Sequence, residues 1–186
     1  DMRRLKAEIP LPLNFEMAAT AEMQMLAMEI RPQACCIVPE NREERTTEGG
    51  LDVAGQHNFI APLVASLLDQ GVRVSLFVDP DPYAPDLAKS VGADRVEIYT
   101  GPYGGALDPG QAKRELDRVV AAGRAAERAG LGLNDGHDLT RANLPPLVAA
   151  LPNLAEVSIG HAIIADALTF GLAETVRQFR HAIGDL

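Results

Sequence analysis

A chain of 186 residues with 47% hydrophobic content is long enough to bury the core of one domain. Its 17 basic and 26 acidic residues leave a net charge of -9, and no Lys/Arg run appears, which argues against nucleic acid and anionic membrane as partners. No apolar run approaches the ~20 residues of a membrane span, and no signal-peptide core follows the first residues.

Asp1 to Ile9 reads as a helix without a capping residue before it, with Leu5 and Ile9 on one face, ended by Pro10 and Pro12. Leu13 to Met17 alternates as a strand, with Asn14 and Glu16 on the polar side. Thr20 suits an N-cap for a helix carrying Met23, Leu26, Ala27 and Ile30. Ala34 to Val38 is the next strand. It holds Cys35 and Cys36, which point to opposite faces and so are expected to stay reduced and buried in the cytoplasm. The polar loop from Asn41 to Gly55 is longer than the ~2–6 residues usual between strand and helix, a mark of function. A helix from about Asn58 to Gln70 stops at Gly71.

Val72 to Asp79 is the strongest strand. A short helix spans roughly Pro85 to Val91, and Arg95 to Tyr99 forms a further strand. Gly101 and Gly104-Gly105 read as an ordinary loop. Asp108-Pro109 starts the longest helix, which stops at Gly130. Two strand-like runs follow, Leu131 to Asn134 and Glu156 to Ile159, with a helix from Asn143 to Leu151 between them. Each run leads into a Gly-His pair, Gly136-His137 and Gly160-His161. Helices over Ala162 to Phe170 and from Leu172 to Ile183 complete the chain.

Six strands alternating with helices predict a parallel sheet. One strand face is apolar, whereas the other carries Asn14, Glu16, Arg73, Ser75, Glu97, Asn134 and Ser158. Doubly wound sheets bury both faces in apolar helices. The pattern therefore predicts the α/β class and a TIM (β/α)8 barrel with a polar interior, of which about six of eight units are present. Residues 1–186 are expected to be a single barrel domain lacking its first two βα units. The open sheet should gap between the strands at Leu13 and Val157.

Ligands of such sheets sit at the carboxyl ends of the strands. Two successive strands delivering Gly-His there suggest one pocket. His137 and His161 can titrate near neutrality, and Glu16 and Glu97 are carboxylates on the inward face. A structural alternative pairs Glu97 with Arg73 and lets Glu16 accept bonds from loop amides. His57 and His181 fall on surface stretches. Nothing has metal-ligand spacing.

The runs Asn14-Phe15-Glu16-Met17-Ala18, Val38-Pro39-Glu40, Thr46-Thr47-Glu48-Gly49-Gly50-Leu51-Asp52-Val53, Val74-Ser75-Leu76-Phe77-Val78-Asp79, His137 and Ile159-Gly160-His161-Ala162-Ile163-Ile164 closely resemble the pyridoxine 5'-phosphate synthase family. The resemblance covers nearly the whole chain. It implies a TIM barrel that condenses 1-deoxy-D-xylulose 5-phosphate with 3-amino-2-oxopropyl phosphate, with no metal or other cofactor, in cytoplasmic homo-oligomers that are commonly octamers. It implies that Glu16 is a catalytic acid/base, His137 a proton donor and Glu97 a charge-stabilising carboxylate. Thr46 would contact the deoxyxylulose phosphate, and Gly160 and His161 would hold the phosphate of the amino-ketone. Asp138, counted with the substrate-binding residues, stands where the family has glycine. Asp135 replaces an alanine, Ser158 an asparagine and Tyr99 a frequent histidine. The family's first two units, with a further base and arginines, are expected to be missing. The alternative is a non-catalytic phosphate-binding remnant or assembly subunit.

Overall fold

Six parallel strands hydrogen-bond in the order in which the chain makes them, each returning through at least one helix. The computed structural model describes residues 1–39 and 49–184. The strands are β1 (Asn14–Ala18), β2 (Ala34–Val38), β3 (Arg73–Val78), β4 (Arg95–Tyr99), β5 (Gly132–Gly136) and β6 (Leu154–Ser158). The helices are α1 (Met2–Glu8), α2 (Ala21–Ile30), α3 (His57–Leu68), α4 (Ala84–Ser90), α5 (Gly101–Gly104), α6 (Pro109–Arg128), α7 (Leu144–Ala150), α8 (His161–Phe170) and α9 (Leu172–Ala182). Punctuation follows local chemistry. The Thr20 hydroxyl accepts from Met23 N at 3.2 Å and Asp108 from Gln111 N at 2.9 Å, each satisfying an otherwise orphaned helix amide. Gly71 and Gly130 follow helices at φ +74° and +69°, where a side chain would be strained.

Register sorts the side chains into two layers. Phe15, Cys35, Ile37, Val74, Leu76, Val78, Val96, Ile98 and Leu133 pack outward against the helices as one apolar core. The inward positions hold Asn14 and Glu16 on β1, Cys36 and Val38 on β2, and Arg73, Ser75 and Phe77 on β3. Arg95, Glu97 and Tyr99 of β4, Asn134 of β5, and Glu156 and Ser158 of β6 continue this face. Such a polar inner face belongs to a sheet curling into a barrel.

The curl is visible in its floor. Asn14 Nδ2 donates to Glu156 Oε1 at 3.4 Å, joining the first strand to the last, and Arg73 Nη2 donates to Glu156 Oε2 at 3.4 Å. Beside them Arg95 Nη1 donates to Asn134 Oδ1 at 3.0 Å. A Cβ on Gly132 would press within 2.7 Å of Arg95 Cγ, so this glycine makes room for the arginine. No ladder joins β1 to β6, and the sheet is open between them, as the alternation of units predicts.

Three details depart from the sequence expectations. Gly101–Gly104 is a short helix, not a loop, closed by Gly104 N donating to Thr100 O at 2.8 Å. Strand β6 begins at Leu154, two residues before Glu156, and β5 begins at Gly132 rather than Leu131. Arg73 pairs with Glu156 and not with Glu97, because it lies in the floor layer while Glu97 stands beside Phe77, two inward positions higher on β3. Both cysteines are buried free thiols, and burial pushes Cys35 up to about 12.

Candidate active site at the carboxyl ends of the strands

The carboxyl ends of β1, β5 and β6, with α5 and α8, enclose an open cleft of about 1260 Å³. Glu16, Gly104, Gly105, His137, Asp138, Ser158, Gly160 and His161 line it. Five of the residues expected from sequence, Glu16, His137, Asp138, Gly160 and His161, therefore meet in one place. Glu97 lies deeper in the barrel interior. Thr46 lies outside the described residues.

His137 and Asp138 form a turn with both φ values positive, +83° and +56°. Few residues other than glycine hold this conformation cheaply, although aspartate tolerates it better than most. Thr100 secures the turn from beneath. Its Oγ1 lies 2.5 Å from Gly136 O and 2.7 Å from His137 O, so one proton is shared between two carbonyls. Asn143 Nδ2 donates to Asp138 O at 3.1 Å from the other side. A Cβ on Gly104 would collide with Asp138, so α5 can approach this closely only because residue 104 is glycine.

The charges around His137 oppose one another. Burial lowers its proton affinity, the carboxylates of Glu16 and Asp138 raise it, and His161 lowers it again, with burial dominant. The result is a depressed pKa, so the neutral imidazole predominates at neutral pH and its cation, once formed, is a stronger acid than a free histidine. Glu97 is 1% exposed, and burial raises its pKa to about 7, against the Ser158 hydroxyl and Cys36 thiol that favour its ionised form. Neither of its oxygens has a hydrogen bond of ordinary geometry to a described residue. A carboxyl near pH 7 can give or take a proton there. Gly136 is required beneath it, since a Cβ would collide with Glu97 Oε1. Asp135, by contrast, faces outward beside Ile98. It is 0% exposed with both oxygens unpartnered among the described residues.

The third wall is the start of α8. Gly160 is its N-cap, and the amides of His161, Ala162 and Ile163 have no intrahelical acceptor. A Cβ at Gly160 would meet nothing within 4 Å, so the approach to these amides is open. Free amides and the positive end of the helix dipole make an anion site.

Sequence reasoning missed the ring cluster behind His137. Phe77 and Tyr99 lie against the imidazole at centroid distances of 4.7 and 5.7 Å. The even spacing of these rings on the inward strand positions was the available signal. Cys36 is a buried free thiol, as expected, and it adjoins Glu97, which together with burial pushes the thiol well above its usual range. Among the described residues no group of three or more His, Cys, Asp or Glu is arranged to hold a metal ion, and no helix is long and apolar enough to cross a membrane.

Fold and site together define a barrel-type α/β protein whose strand ends carry carboxylates, imidazoles and an anion-binding helix start. A family model described as "Pyridoxal phosphate biosynthesis protein PdxJ" matches residues 1–185, and the chain belongs to that family. Among its relatives is the "Pyridoxine 5'-phosphate synthase" of Bradyrhizobium sp. (strain ORS 278), 50% identical over 98% of this chain and 72% of that one. The protein of the same name from Thioalkalivibrio sulfidiphilus (strain HL-EbGR7) is 49% identical over 98% of this chain and 74% of its own length. A solved structure of a xylose isomerase domain protein from Planctomyces limnophilus matches with a TM-score of 0.58 at 11% identity. It covers 92% of this chain and 71% of that one, a likeness of fold alone.

Proposed function

We propose that this chain carries out the pyridoxine 5'-phosphate synthase reaction, condensing 1-deoxy-D-xylulose 5-phosphate with 3-amino-2-oxopropyl phosphate to form pyridoxine 5'-phosphate, phosphate and water. The observation that carries this reading is the meeting of Glu16, His137 and the α8 amides in one cleft. In it, the substrate amine adds to the partner's ketone. Glu16, exposed at the edge of the cleft, moves protons during dehydration and ring closure. His137 protonates a carbonyl or leaving oxygen, and Glu97 balances developing positive charge from below. Gly160, His161 and the first α8 amides hold a substrate phosphate. Thr46 contacts the deoxyxylulose phosphate. No metal or organic cofactor takes part. The protein is cytoplasmic and assembles as a homo-oligomer, an octamer in this reading. The six-stranded open sheet supports the view that residues 1–186 are a barrel domain short of two βα units. Formation of pyridoxine 5'-phosphate from the two substrates by the purified protein is the test. Absence of product with phosphate still bound would favour a non-catalytic phosphate-binding subunit.

One observation favours that second reading. Asp138 lines the cleft that the α8 amides share. At an effective dielectric near 20, two unit charges a few ångströms apart repel by about 2–4 kcal/mol before screening. Phosphate binding at Gly160 is therefore expected to be weak and to tighten severalfold in Asp138→Gly, which also relaxes a backbone at φ +56°. Titrating phosphate while following the Gly160 amide by NMR measures this. Equal affinity in both proteins would show that Asp138 points away from the anion.

A further inference from the structure

His137 stands at φ +83°, a conformation uncommon for any residue but glycine, yet its imidazole makes no hydrogen bond to any described residue. What holds it is aromatic. Phe77 lies at a centroid distance of 4.7 Å with the planes tilted by 49°, and Tyr99 at 5.7 Å in an edge-to-face arrangement of 81°. The two supporting rings also touch each other at 5.6 Å, so the three form one closed cluster. Each support is itself fixed. Phe77 is 0% exposed and packs with Cys36 and Val38 inside the sheet, and a Cβ on Gly101 would collide with the Tyr99 ring, which therefore rests on the start of α5.

We propose that Phe77 and Tyr99 are positioning residues for His137, forming an aromatic seat that orients its imidazole toward the cleft and stabilises the imidazolium. Ring faces attract a cation within about 6 Å through their quadrupole, and they do so without supplying an acceptor that would retain the proton. The seat thus eases formation of the cation in an apolar setting while leaving its N–H groups directed at substrate. Among the described residues, the charged and titratable groups around the imidazole are Glu16 from β1, Glu97 from β4, Asp138 of its own turn and His161 of α8. Glu97 lies on the side of the two rings, level with Phe77 and two residues before Tyr99 on the inward face of β4.

The proposal rests on His137 as the proton-transfer group of the reaction above, but its test needs no turnover. The His137 ring protons are followed by NMR against pH in the parent, Phe77→Leu, Tyr99→Leu and Tyr99→Phe proteins. The His137 signals are picked out from those of the four histidines by their loss in a His137→Asn protein. Leucine keeps apolar bulk and removes the π face. Each leucine variant should lose its own ring's share of the ring-current displacement of the His137 signals, and the His137 pKa should fall by about half a unit, the size of an exposed to half-buried cation–π contact. Tyr99→Phe, which keeps the ring, should match the parent. Tyr99 lies at the rim and Phe77 in the core, so the Tyr99→Leu result stands even where Phe77→Leu fails to fold. Unchanged signals and pKa, or a pKa that rises because water enters, would overturn the proposal. Loss of turnover with an intact seat would instead count against the reaction and not the rings.

Discussion

Glu16→Gln is expected to lower the rate of product formation by roughly 10²–10⁴-fold, the usual share of a general acid/base. The substitution isolates chemistry from structure. Glu16 is exposed on the edge strand β1 and makes no ion pair or hydrogen bond with a described residue, so the isosteric amide costs the fold little. A second consequence comes with it. The Glu16 carboxylate raises the proton affinity of His137 from across the cleft. Removing that charge should therefore lower the His137 pKa further, and the residual activity should show its pH profile displaced toward acid. Steady-state rates across pH measure both effects. A rate within about threefold of the parent would remove Glu16 from proton transfer.

Asp135→Ala is expected to stabilise the protein by about 1–3 kcal/mol at pH 7, the range for relieving a buried polar group that has no partner. The carboxyl sits on the outward face of β5 beside Ile98, within the layer that elsewhere is aliphatic. Burial, and then the charge of Glu97, hold its pKa well above the ordinary value. The sign of the linkage follows. A carboxyl whose pKa is raised on folding favours the native state fully below the unfolded pKa of about 4, and that contribution is lost as pH rises through the folded value. Glu97, at about 7, acts in the same direction, so it adds a decline in stability between about pH 4.5 and 7 in both proteins. The advantage of Asp135→Ala over the parent should widen with pH, and denaturant melts at pH 4 and pH 8 give the comparison. An alanine variant less stable than the parent at both pH values would mean that packing around the carboxyl outweighs its desolvation.

How much of this was legible in the sequence depends on which physics fixed each feature. Period-two alternation placed Glu16, Arg73, Ser75, Glu97, Asn134 and Ser158 on one face, because side chains in a strand must alternate. The gathering of His137 and His161 followed from the rule that strand ends of a parallel sheet share one rim. Height along the barrel was less accessible. Arg73 and Glu97 share a face, but parallel register sets Arg73 against Ala34 in the floor and Glu97 against Phe77 above it, and register between distant strands is not written in either strand. The Gly101–Gly104 turn was hidden for another reason. Its Gly-Pro-Tyr-Gly composition reads as loop by propensity, and it is helical because the Tyr99 ring and the Asp138 turn pack against it. Asp135 was visible as an odd residue. Counting from Asn134 would have put it on the apolar face, where its cost is largest.

The chain-order sheet has a consequence for how the protein is made. Among the described residues each strand pairs only with the strand synthesised before or after it, and β1 and β6 meet through the Asn14–Glu156 contact and no ladder. Loop closure between neighbours costs little entropy, so a nascent chain can add strands one by one as it leaves the ribosome, without waiting for its carboxyl terminus. The growing sheet presents two unpaired edges to solvent, a fixed one at β1 and a second at its newest strand that moves along with synthesis. Stalled chains ending after β4 should already protect the β1 to β3 amides from hydrogen exchange. Protection appearing only after β6 emerges would mean that assembly is instead all-or-none.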